Sequence, residues 1–311
     1  MHKDVLRLAA LLAAIALATS RIGLVGHELV GHGGVALACG AHIVHVELFW
    51  FAGGWIRYHL AEPSQAAVLA IALAGIGLEL VVGLVLWWRV RGATLGRRLV
   101  RGIGAALVVH ATWYLATGAF AGFGDGLVLY RALGGARVAV AITAGLVTCG
   151  AAFFAARHVL GTLTATVPGS PRARVIGVLV AAALAGGLHA GLAAGELAVR
   201  RDPTYTATMR PQRERDIAAE LLAWQRERAA RGQQIDEAAR RAEQVRLAAR
   251  HETFPFVWLL AIATVASVIA GASRSRRMPD ERIGSRLLGL AALVAAAAIC
   301  MVIGIDILIA M

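Results

Sequence analysis

An all-α polytopic membrane protein, with about seven transmembrane helices, a membrane-associated β-hairpin and an extramembrane helical hairpin, is the fold class this sequence predicts. Three observations carry that expectation. Apolar residues fill 59% of the 311 positions and charged residues only 16%, too few polar groups to cover a soluble domain of this size. Apolar runs of about 20 residues, the length a bilayer requires, recur along the chain. The basic residues behind the net charge of +12 gather in alternate connections, as the positive-inside rule demands.

Seven spans follow, at about residues 5–38, 64–88, 102–121, 137–157, 175–198, 255–272 and 287–310. The first has a weakly basic start and an apolar run from Leu8 to Ala18, which resembles a cleavable leader. The apolar helix resumes at Ile22, so an uncleaved, overlong first span is expected. Lys3 and Arg7 precede it. Arg89, Arg91, Arg97, Arg98 and Arg101 lie between spans 2 and 3. Arg157, Arg172 and Arg174 follow span 4, and Arg274, Arg276, Arg277, Arg282 and Arg286 separate spans 6 and 7. The opposite side holds chiefly Arg57, Arg131 and Arg137. This asymmetry predicts a bacterial-type plasma-membrane protein with its N-terminus in the cytoplasm and its C-terminus outside. The positive charge is therefore a topology signal, and no nucleic-acid-binding module is present.

Two regions lie outside the spans. Residues 42–59 carry β-branched and aromatic residues on both sides of Ala52-Gly53-Gly54, the pattern of a β-hairpin. Residues 200–254 form the one substantial polar insert, with helical patterns at 212–230 and 233–251 separated by Arg231-Gly232. The chain thus divides into a core at 1–136, spans 4 and 5 at 137–199, the insert at 200–254, and spans 6 and 7 at 255–311. Cys39, Cys149 and Cys300 fall in different apolar segments and read as small core residues, not as a disulfide or metal framework.

Ionisable groups inside apolar spans are costly and mark functional sites. His27, Glu28 and His32 occur together in span 1, within GHELVGHGG. Two imidazoles and a third protein ligand suffice to hold Zn²⁺, and an adjacent Glu can act as general base. The common zinc-peptidase spacing is H-E-x-x-H, with both histidines on one helical face. Here one residue is added, and on a regular α-helix that turns the two side chains about 140° apart. A metal site therefore requires a π-bulge near Gly31, whose i→i+5 hydrogen bonding restores a common face.

The six residues HELVGH match the H-E-x-x-G-H zinc motif of the dipeptidyl peptidase III family position for position. The wider order resembles the site-2 protease family of intramembrane zinc metalloproteases. That order is GHELVGHGG in span 1, the hairpin at 42–59, the Gly-rich LAGIGLELVVG at 73–83 and GFGDG at 122–126, and the resemblance covers roughly residues 20–130. It implies Asp125 as third metal ligand beside His27 and His32, Glu28 as catalytic base, Zn²⁺ as cofactor, and a membrane-protein or peptide substrate. Depth agrees with the pairing: Asp125 lies ~36 Å along its helix from Arg101, and His27 to His32 lie ~30–38 Å from Arg7.

Glu79, in the middle of span 2, is the alternative ligand, or a partner that orients a histidine. His110 in span 3 can face the same site. His42 and His45 are expected on the hairpin surface, and His189 and Asp306 have no assigned role. The expected activity is hydrolysis of peptide bonds in membrane-protein substrates. Two other classes would use the same residues differently: a metal or proton transporter built on the intramembrane His and carboxylates, or a non-catalytic scaffold binding partners through 205–252.

Overall fold

The computed structural model of the protein describes residues 2–276 and 278–310, without the side chain of Ala310; Arg277, counted above, lies outside them. Helix α1 (His2–Val25) runs into a π-helical segment (Gly26–Gly33) and ends in α2 (Gly34–Ala38). Strands β1 (His42–Leu48) and β2 (Gly54–His59) follow, then α3 (Gln65–Arg89), α4 (Leu95–Ala121) and the short α5 (Gly126–Leu133). A 3₁₀ turn joins α5 to α6 (Arg137–Thr164), and α7 (Pro171–Arg200) comes next. The polar insert holds α8 (Pro203–Met209), α9 (Gln212–Ala230) and α10 (Glu237–Arg250), before α11 (Phe256–Ser273) and α12 (Ser285–Ala310) close the chain.

Seven helical stretches are long and apolar enough to cross a membrane, in the order expected: His2–Ala38, Gln65–Arg89, Leu95–Ala121, Gly126–Thr164, Pro171–Arg200, Phe256–Ser273 and Ser285–Ile309. Local chemistry sets several ends. Ser64 and Ser170 accept from the N–H three residues on and start α3 and α7, with Pro171 in the first turn of α7. Asp202 and Asp236 do the same for α8 and α10. Helix α4 stops at Gly122, whose left-handed φ of 69° suits a residue without Cβ. Helix α4 begins seven residues earlier than hydropathy predicts, because Leu95 and Leu99 are buried against Leu8, Leu11 and Leu163. Helix α8 was not foreseen, and α10 starts at Glu237 instead of residue 233.

Helices α3, α4, α6 and α11 pack side by side, while α1 packs against α7 and α12. The π segment bridges the two groups by lying on α3. The outward faces remain apolar: Val81, Val85, Trp88, Leu179, Leu188 and Ile262 are all exposed. The cysteines are unpaired, and Cys300 faces outward instead of into a core.

The hairpin is antiparallel, with Glu47 opposite Trp55 and a bulge between Ile43 and His45. His42 and His45 do lie at its surface, His45 stacking on Trp55. Its turn is held from two sides. Arg21 of α1, buried at 3% exposure, donates to the carbonyls of Phe49 (2.7 Å) and Ala52 (2.6 Å). Glu196 of α7 accepts the N–H groups of Trp50 (2.6 Å), Phe51 (2.6 Å) and Ala52 (2.9 Å). Arg200 adds ion pairs to Glu47 and to Asp306 of α12, and Trp50 Nε1 also donates to Asp306. Charged hydrogen bonds of this kind fix irregular backbone that a sheet cannot satisfy.

Glu196→Ala should free three turn amides and leave Arg21 without its counter-charge. Local opening is expected to become easier by about 3 kcal/mol, so amide exchange at Trp50–Ala52 should quicken by roughly a hundredfold. Unchanged exchange at those amides would remove the clamp.

Candidate metal centre

The π segment turns His27 and His32 to one side, as the spacing required. Their rings meet edge to face, with centroids 4.7 Å apart. Two glycine contacts make the arrangement possible. A Cβ on Gly31 would stand 2.7 Å from Gly75 Cα, so the π segment and α3 touch backbone to backbone. A Cβ on Gly75 would stand 2.5 Å from His27 Nε2, so Gly75 leaves the space the imidazole fills. The widened helix thus packs where only glycine permits it.

Asp125 reaches this pair from the loop between α4 and α5. Gly124, at φ 53°, lies against the Tyr114 hydroxyl, which accepts the Asp125 N–H at 3.4 Å. Gly126 is pressed on Gly118 so closely that a Cβ would fall 2.1 Å from its carbonyl carbon. The loop is thereby pinned to the end of α4, with the carboxylate aimed at the histidines. Asp125 Oδ2 lies 3.0 Å from His27 Nε2, and Oδ1 lies 3.2 Å from His32 Nε2.

The outer nitrogens define what the inner ones are. His32 Nδ1 donates to the Ile71 carbonyl at 2.6 Å, which leaves a lone pair on Nε2. His27 Nδ1 stands 3.4 Å from Glu79 Oε1, and Glu79 Oε2 accepts from His110 Nδ1 at 2.9 Å. His32 therefore turns a lone pair toward Asp125 Oδ1, while His27 Nε2–H donates to Asp125 Oδ2 at 3.0 Å. His32 Nε2 is buried and makes no hydrogen bond, although Asp125 Oδ1 is 3.2 Å away. A cation here would take the place of the His27 proton and satisfy the His32 lone pair; the ligand atoms of His27, His32 and Asp125 lie within 4.8 Å of one another. Donors around a tetrahedral zinc ion stand roughly 3.3 Å apart, close to the two observed nitrogen–oxygen separations. The group can hold a metal ion, and two imidazoles with one carboxylate is a donor set that suits zinc.

Glu28 is buried at 7% exposure, and its carboxylate makes no side-chain hydrogen bond among the described residues. Its charge acts on His27, His32 and Asp125. Glu79 occupies the second of its two expected positions, orienting His27 from behind, and His110 holds Glu79 in turn. Helix α8 covers the neighbourhood: Gly124 N–H donates to Thr208 O at 3.0 Å, and Tyr205 packs on Phe49 and against Gly53. Burial pushes the Tyr205 phenol above its ordinary value, so it remains a neutral hydroxyl at physiological pH. Sequence reasoning passed over Arg21 and Glu196. Their signal was present, since each is an ionisable residue inside an apolar span. His189 lies in α7 away from the cluster, whereas Asp306 belongs to the hairpin's ion-pair network.

Two variants test the centre. Gly75→Ala should displace the His27 ring and weaken metal binding at least tenfold. Glu79→Gln should weaken it roughly 10- to 100-fold by loosening the same ring. Competition against a chelating dye reads both, and wild-type affinity in each would rule out the assigned roles.

Comparison with known proteins leaves this geometry as the guide to function: no family model, no curated protein and no solved structure matches the chain.

Proposed function

We propose that the protein is an integral membrane zinc peptidase of the site-2 protease type, hydrolysing peptide bonds in membrane-protein substrates. One observation carries the reading. Two histidines from one helix and an aspartate from a distant loop bring their ligand atoms within 4.8 Å of one another, and the buried Glu28 carboxylate is near enough to interact with all three. The seven apolar helices and their apolar outer faces support placement in a bilayer, and the arginine distribution supports an N-terminus in the cytoplasm and a C-terminus outside. The catalytic end then lies toward the outer face.

His27, His32 and Asp125 would hold the metal. Zinc in such a site polarises a carbonyl and lowers the pKa of water toward neutrality. Glu28 takes the proton of the attacking water on a carboxylate oxygen and returns it to the departing amine. Glu79 and the Ile71 carbonyl hold the imidazoles in the tautomer that presents Nε2. Tyr114 keeps the Asp125 loop in place through its backbone. Hydrolysis at membrane depth requires a substrate helix to unwind locally, because a helical carbonyl is already engaged within the helix. The convergence of His27 and His32 on one point favours a metal centre over the scaffold reading.

Purified wild-type protein should carry one zinc per chain, measured by elemental analysis. Glu28→Gln should retain that zinc and cleave a single-span model substrate roughly 10²- to 10⁴-fold more slowly. Zinc well below stoichiometry, or full activity in the variant, would refute the proposal.

A further inference from the structure

An apolar cavity of about 350 Å³ reaches the candidate metal centre at His27 and Glu79. Helix α1 contributes Gly23 to its wall and the π segment Gly26, α3 contributes Leu78 and Val82, and α4 contributes Leu107. His27 and Glu79 stand at one end. From His27 the cavity runs back along α1 to Thr19, a length of ~12 Å at the α-helical rise. Ile22 and Val82, on its rim, are 51% and 41% exposed, so the cavity is open to the outside of the bundle between α1 and α3.

We infer that this cavity is a specificity subsite that takes large apolar side chains of an extended substrate segment next to the scissile bond. The inference rests on the peptidase reading and names its substrate preference. Size supports it: a dry cavity of about 150 Å³ accepts one benzene, so this one takes roughly two leucine- or phenylalanine-sized groups and is too small for a whole helix. Chemistry supports it as well. Among the described residues the ionisable ones on the wall are His27 and Glu79, both at the end nearest the candidate metal centre, and no Lys or Arg lines it. A phospholipid tail would arrive with a phosphate that finds no cation there, whereas a peptide brings its carbonyl to the metal centre and its side chains to the apolar wall. Gly23 keeps the cavity open, because a Cβ at that position meets nothing within 4 Å. A larger side chain there fills the cavity without disturbing the helix.

The test uses the full-length Glu28→Gln protein in lipid nanodiscs with a single-span model helix carrying photo-leucine at successive positions. Crosslinks are expected on α1 and α3 within 18–26 and 78–86, and adding Gly23→Leu should reduce them at least tenfold with zinc content unchanged. In the otherwise wild-type chain, Gly23→Leu should slow cleavage of Leu- and Phe-containing model helices at least tenfold while leaving an Ala version within twofold. Crosslinks elsewhere, or equal loss for all three helices, overturn the subsite even if cleavage occurs. Labelling of the same residues by phosphatidylcholine with a photoactivatable acyl chain, abolished by Gly23→Leu, with no peptide crosslink, overturns it in favour of lipid. Peptide crosslinks inside the cavity in a protein that cleaves none of the helices support the binding site and retire the peptidase reading.

Discussion

Five positions separate His27 from His32, and a helix must open to i→i+5 hydrogen bonding before both imidazoles face one point. That opening is the constraint from which the surrounding structure follows. A widened helix cannot pack at ordinary distance on a neighbour that carries side chains at the contact. Gly31 meets Gly75 backbone to backbone, and Gly75 also leaves room for the His27 ring. With α3 drawn this close, the Ile71 carbonyl and Glu79 fall behind the two histidines and fix their outer nitrogens. The inner nitrogens then both face Asp125, which brings its two carboxylate oxygens to the same place. Three carboxylates, Glu28, Glu79 and Asp125, stand around two imidazoles, a buried group that stays in place only while protons or a bound cation balance it.

The loop and the hairpin solve a different problem, that of holding irregular backbone among apolar helices. The Asp125 loop does it with glycines, lying so close on α4 that Gly124 and Gly126 have no space for a Cβ. The hairpin turn does it with charges, Arg21 taking its carbonyls and Glu196 its N–H groups. Each device satisfies polar backbone without a sheet around it, as backbone at membrane depth demands. Helix α8 then joins the two regions, touching Gly124 through Thr208 and Gly53 through Tyr205.

What could be read from the residues alone divides along physical lines. Runs of apolar residues are local, so all seven long helices and the hairpin were legible. Their ends were less so: Leu95 and Leu99 belong to α4 because of what they touch, despite Arg97 and Arg98 between them. Helix α8 is seven residues long and owes its place to tertiary contacts, which no periodicity reports. In the centre, a shared metal on His27 and His32 required a distorted helix near Gly31, and the segment Gly26–Gly33 is π-helical. Asp125 came from a resemblance in motif order. The choice between ligand and supporting partner for Glu79 depended on distances across α1, α3 and α4. The service of Gly75 is invisible in sequence, since it consists of an atom that is missing.

The grip on the hairpin turn has a mechanical corollary. Because Arg21 and Glu196 between them hold the turn residues 49–52 and meet at Ala52, α1, the hairpin and α7 are tied together, and Arg200 ties α12 to them through Asp306. Between the first helical stretch and α3 the ionic contact is confined to one end of the cavity wall, where His27 faces Glu79; along the rest of that wall, among the described residues, the lining is glycines and aliphatic groups. Such surfaces slide at small enthalpic expense, while a set of charged hydrogen bonds must break all at once. The bundle therefore has a stiff wall at the hairpin and a more compliant one along the cavity, away from the end where His27 meets Glu79.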